Sequence, residues 1–127
     1  TTAAKRRAAA AGLMTWDEAV SFALSLPGTE LALYYGQPAV KVAENGRALL
    51  MRSHETATSF ALALDLDSIE LLKETDPATY WQTAHYEGWP AVLVRYDSPD
   101  DERVRAMIER SRAWSAALPK ARPRKRK

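Results

Sequence analysis

From Phe60 to Leu66 the chain alternates with a period of two. Phe60, Leu62, Leu64 and Leu66 fall on one side, and Ala61, Ala63 and Asp65 on the other. Successive side chains of a strand point to opposite faces, so this pattern demands a sheet with one apolar face. The demand extends in both directions along the chain. Leu31, Leu33 and Tyr35 alternate, Gly36-Gln37-Pro38 interrupts them, and Val40 and Val42 resume the pattern. Glu44-Asn45-Gly46-Arg47 then holds an Asn-Gly pair, which predicts a tight hairpin because both residues tolerate positive φ. Ala48 to Arg52 is the returning strand, and residues 53–59 are polar and loop-like. Residues 80–86 and 91–96 predict two further strands, joined across Glu87-Gly88-Trp89-Pro90.

Three helices complete the pattern. Thr15-Trp16-Asp17-Glu18 is a capping box, in which the threonine oxygen accepts an orphan amide and the glutamate reaches back. Trp16, Ala19, Val20 and Ala23 follow at helical spacing, up to Pro27-Gly28. Asp67-Ser68 opens a short helix on Ile69, Leu71 and Leu72, which ends before Asp76-Pro77. Ser98-Pro99-Asp100-Asp101-Glu102 predicts a third, with a serine cap, proline at the first position and acids at the positive end of the dipole. Its stripe is Val104, Met107, Ile108, Ser111 and Trp114, stopped by Pro119. The expected class is α+β: an antiparallel sheet with helices packed on one face, a two-layer sandwich.

At 127 residues the chain has room for one such domain. We place the domain at residues 13–119, between disordered basic tails at 1–12 and 120–127. The formal charge of +2 conceals a division between them. Nine of the 18 basic residues lie in the tails, while all 16 acidic residues lie in the domain, leaving it at −7. Without cysteine there is no disulfide and no thiolate chemistry, which fits a cytoplasmic protein. No apolar run reaches the ~20 residues that cross a bilayer, and residues 8–14 are too short and weakly apolar for a secretory leader. No membrane partner is expected.

Catalytic and cofactor patterns are not evident. The five glycines never take a phosphate-loop or dinucleotide spacing, and no serine sits in a nucleophile elbow. His54 and His85 are 31 residues apart. His54 is expected in a solvated loop, and His85 in Thr83-Ala84-His85-Tyr86-Glu87-Gly88-Trp89-Pro90, a turn suited to holding a ligand or partner. Acidic pairs such as Asp65/Asp67 and Asp100/Asp101 are expected as helix caps. The expectation is no enzyme, no cofactor and no metal. Tyr34, Tyr35, Tyr80, Trp81, Tyr86, Trp89 and Tyr96 supply aromatic surface, about half of it for the core. The remainder can stack on bases, with Lys41, Arg47, Arg52 and Arg95 nearby. Lys120, Arg122, Arg124, Lys125, Arg126 and Lys127 would hold phosphates without sequence preference.

Several segments, taken in order, resemble MmcQ/YjbR-like proteins. They are residues 15–20 with Leu24-Ser25-Leu26-Pro27-Gly28-Thr29-Glu30, then Tyr35-Gly36-Gln37-Pro38-Ala39-Val40-Lys41-Val42. Asp76-Pro77 with residues 83–95, and Trp114 with Leu118-Pro119-Lys120, complete the set over about residues 14–120. The resemblance implies a CyaY-like (frataxin-like) fold and DNA binding through a double-wing surface, with no enzyme activity. The matching positions are Gly36, Pro38, Lys41, His85, Tyr86, Gly88, Pro90 and Arg95. An iron site is not expected, since the first helix offers only Asp17 and Glu18. The leading expectation is thus a monomeric, weakly and non-specifically DNA-binding module. The alternative is a small-molecule or protein-binding module that uses the turn His85, Tyr86, Gly88, Trp89 and Pro90.

Overall fold

The computed structural model describes residues 14–96 and 98–121. The tail expected at 1–12, and most of that at 120–127, lie outside the described residues. The architecture is α+β, with six antiparallel strands in the order β1-β2-β3-β4-β6-β5. The strands are β1 (Thr29–Tyr34), β2 (Gln37–Val42), β3 (Ala48–Arg52), β4 (Ser59–Ala63), β5 (Tyr80–Trp81) and β6 (Ala91–Arg95). The helices are α1 (Trp16–Leu24), α2 (Leu66–Thr75) and α3 (Asp101–Ala116).

All three helices pack on one face. Ala19 and Ala23 of α1, Ile69 and Leu72 of α2, and Val104 and Ile108 of α3 join one buried cluster with Val40, Leu50, Phe60, Leu62, Tyr80, Val92 and Val94. The opposite face holds a smaller cluster of Ala39, Met51, Ala61, Ala63 and Leu93. Both sides of β4 are buried throughout its length, so the alternation legible there is large against small rather than apolar against polar. The helices do not shield the outer strand, where Leu31 and Leu33 stay exposed.

Local chemistry sets the boundaries. The Thr15–Glu18 capping box forms, with the Glu18 amide 3.2 Å from Thr15 Oγ1 and the Thr15 amide 3.1 Å from Glu18 Oε1. Helix α2 starts earlier than expected because Asp65 caps it, accepting the Ser68 amide at 3.0 Å. The cap of α3 is Asp100, which accepts the Arg103 amide at 3.0 Å. The expected serine cap, Ser98, is buried and accepts instead from the Thr79 hydroxyl and the Asp100 amide. Residues 80–86 do not form a long strand. Only Tyr80 and Trp81 pair with β6, and the chain then lifts into a loop.

The hairpin expected at Asn45-Gly46 does join β2 to β3, though not through a two-residue turn. The two-residue hairpin lies at Tyr35-Gly36, where both residues have positive φ, 54° and 81°, the type I′ pattern. At residues 43–47 only Gly46 has positive φ. Asn45 is instead buried, and its amide caps the end of a helix 70 residues away. Asn45 Nδ2 donates to the carbonyls of Ser115 (2.8 Å), Ala116 (3.4 Å) and Leu118 (3.0 Å), while its Oδ1 accepts the Arg47 amide. The last carbonyls of a helix have no partner within it, and here one side chain serves two of them and the Leu118 carbonyl just past the end. Arg47 Nε donates to the Pro119 carbonyl and the Ala121 amide to the Asn45 carbonyl. The described chain is therefore anchored two residues beyond the expected boundary at 119.

Candidate functional site

The face of the sheet opposite the helices carries a cleft of about 800 Å³. Met51, Ala61 and Ala91 line its base, and Tyr34, Tyr35, His54, His85, Tyr86 and Trp89 form its aromatic wall. The small residues are what leave room: a face of alanines cannot fill the space above itself. The volume lies within the usual ~300–1,000 Å³ of small-molecule sites, and the apolar lining with a few polar groups is also typical.

Three segments position the wall. The type I′ turn delivers Tyr34 and Tyr35, whose rings meet edge to face at 4.7 Å. A tyrosine with positive φ is sterically disfavoured, so this turn stores strain where an asparagine would not. The second segment, residues 53–58, is an organised turn. Ser53 Oγ donates to the Ser59 carbonyl and accepts the Glu55 amide, and the Ser59 amide donates to the Glu55 carbonyl. The third is the loop 82–90, held by Gln82. The Gln82 Nε2 amide faces the carbonyls of Tyr86, Trp89 and Ala91 at 2.8 to 3.2 Å. Gln82 Oε1 accepts from Lys73 Nζ at 2.9 Å, which ties the loop to α2. Sequence reasoning passed over Gln82, because a lone glutamine after a strand carries no local signal.

His54 and His85 meet at the junction of the second and third segments, with ring centroids 4.4 Å apart at 72°. Tyr86 touches both rings edge-on, at 5.8 Å from His54 and 5.1 Å from His85. Burial pushes the Tyr86 phenol pKa up, outweighing the opposite pull of the His54 backbone. Burial, helped by the neighbouring phenols of Tyr35 and Tyr86, likewise raises the Tyr34 phenol, against the pull of Arg47. Tyr34 and Tyr86 thus stay neutral across the ordinary range. No Asp or Glu lines the cleft.

The turn residues predicted from sequence, His85, Tyr86 and Trp89, lie on this wall, while Gly88 (φ 84°) and Pro90 shape the loop. His54 lies exposed in a loop, as expected, and meets His85 and Tyr86 there. The four predicted strand cations do not come together. Arg52 lies against Trp16, 4.5 Å from the ring, and bonds the Tyr96 hydroxyl on the helix side. Arg47 is bound to the Pro119 carbonyl. Lys41 stands over Tyr34 at 5.9 Å and Arg95 over Trp81 at 4.6 Å. Lys41 and Arg95 share the open face but sit near opposite corners of it, roughly 20 Å apart by strand spacing and rise. Lys120 is exposed at the anchored end, and residues 122–127 lie outside the described residues.

Among the described residues no helix is long and apolar enough to cross a membrane, and no group of three or more His, Cys, Asp or Glu is placed to hold a metal ion. Compared with protein-family models, curated proteins and solved structures, the chain matches none.

Proposed function

We propose that this domain is a non-catalytic binding module whose ligand is a small planar aromatic molecule held in the cleft on the open face of the sheet. The observation that carries the reading is the exposure of the wall: Tyr35 is 66 % and Trp89 65 % exposed. Large aromatic surface left in water beside a preformed cavity favours a ligand that covers it. Rings that meet edge to face present flat walls to a stacked guest.

The test uses 2-naphthamide as the probe, followed by calorimetry on the full chain. The wild type binds it, and Tyr86→Ala binds about three- to tenfold more weakly, the size of one lost aromatic contact. Tyr35→Asn separates ligand contact from folding. It weakens binding while leaving the melting temperature unchanged or raised, because Asn-Gly suits a type I′ turn better than Tyr-Gly. Absence of naphthamide binding by the wild type overturns the reading.

A second reading, weak DNA binding of the kind the MmcQ/YjbR resemblance implies, is favoured by one feature of the sequence. Lys120, Arg122, Arg124, Lys125, Arg126 and Lys127 place six cations in the last eight residues. The domain that precedes them carries −7, and its strand cations are dispersed, so affinity for phosphate falls mainly to this segment, with Lys5, Arg6 and Arg7 at the other end of the chain. Ending the chain at Ala121 preserves the anchor on Asn45 and should weaken duplex binding at low salt. Undiminished binding by the shortened chain would instead assign the contact to the rest of the chain.

A further inference from the structure

We infer that the ligand of the cleft is an aromatic anion, a planar ring system bearing a carboxylate or comparable acidic group, and that His54 and His85 together receive that group. This rests on the cleft being a ligand site, as proposed above, and adds the charge and orientation of the guest.

The two imidazoles come from different segments, one following β3 and one preceding β6, yet they touch at 4.4 Å. Beyond their ring contacts, neither imidazole makes a hydrogen bond or ion pair with another described residue. Both are exposed at one end of the cleft, so their nitrogens are open to a guest. An anion between two adjacent imidazoles can accept a hydrogen bond from each, and hydrogen bonds to a charged acceptor are the stronger kind.

The surrounding groups favour the same sign. From the β1–β2 turn come the phenols of Tyr34 and Tyr35, and from the 82–90 loop that of Tyr86; of these, Tyr34 and Tyr86 are held neutral. From β3 comes Arg52, whose guanidinium is turned to Trp16. The carboxylates next in sequence, Glu55 and Glu87, are exposed and do not line the cleft. A cationic guest would find no counter-ion in this lining. A neutral one would gain only the aromatic wall.

The experiment compares 2-naphthoate with 2-naphthamide, which have the same ring and nearly the same shape but differ in charge. Calorimetry on the full chain at about pH 5.5 and about pH 8 spans the interval in which histidines ordinarily change charge. At the lower pH naphthoate should bind about tenfold more tightly than naphthamide, the scale of one charge-assisted hydrogen bond, and the preference should shrink at the higher. His54→Gln and His85→Gln should each reduce the preference for naphthoate over naphthamide at the lower pH, and an unchanged melting temperature shows each variant folded. Equal affinity for the two probes overturns the inference and leaves the cleft as a ligand site. A preference that survives both substitutions overturns the role of the pair. If neither probe binds, the ligand site itself is lost, and the inference with it.

Discussion

Replacing Phe60 by alanine should lower the unfolding free energy by about 3–5 kcal/mol, the usual range for emptying a buried aromatic site. Phe60 is fully buried at the centre of the sheet. It pairs with Val94 on one side and Arg52 on the other, and its ring lies 5.9 Å from that of Tyr96. Residues of β4 are hydrogen-bonded on both flanks, so little can move inward to refill the space. Leu31→Ala, on the exposed edge strand, provides the contrast and should cost no more than about 0.5 kcal/mol. Urea unfolding measures both. A Phe60→Ala loss below about 1 kcal/mol would mean that the core is not centred on β4.

The second large effect concerns Asn45. Asn45→Ala removes a buried donor from the carbonyls at the end of α3 and should cost about 1–3 kcal/mol. Asn45→Asp should cost more, since a carboxylate cannot donate to those carbonyls and its charge faces the negative end of a helix dipole. The pH dependence follows from the sign. The charged form is disfavoured in the folded state, so the introduced carboxyl has a raised pKa there. Stability lost at neutral pH should return as pH falls below about 4, where a free aspartate also takes up its proton. Unfolding midpoints ordered wild type, Asn45→Ala, Asn45→Asp at pH 7, with the last gap closing in acid, confirm the cap. If Asn45→Asp matches the wild type, the amide is not donating.

These two residues also mark what was readable in the chain and what was not. Phe60 was legible because strand alternation is a local pattern, as was the Thr15–Glu18 capping box. Helices on one face of an antiparallel sheet followed from such patterns alone. Asn45 was read only in part. Asn-Gly is a strong hairpin signal, but the partners that decided its role lie 70 residues onward. Tyr35-Gly36 was passed over as a turn for the opposite reason: tyrosine is a poor occupant of positive φ, and only the paired strands hold it there. At the cleft, the sequence marked His85, Tyr86 and Trp89 but gave no reason to join His54 to them. Their contact depends on sheet order, register and loop path together: β3 and β6 run the same way, with Arg52 level with Val94, so the 82–90 loop reaches back across the open face to His54. The dispersal of Lys41, Arg47, Arg52 and Arg95 was hidden for the same reason, since face and corner depend on register.

That strand order also bears on how the site comes into being. Strands β1 to β3 each pair with the next in sequence, so this four-stranded meander can zip up across short connections. Strand β6 must close the 27-residue interval between Ala63 and Ala91 before it meets β4, and β5 has no place in the sheet until β6 has arrived. Closing such a loop costs entropy before contacts repay it, which places this pairing late. The loop bearing Gln82, His85, Tyr86 and Trp89 is the connection between β5 and β6. The cleft is thus the last part of the molecule to take shape, and an early-folding intermediate would carry His54 without the histidine it meets in the finished protein.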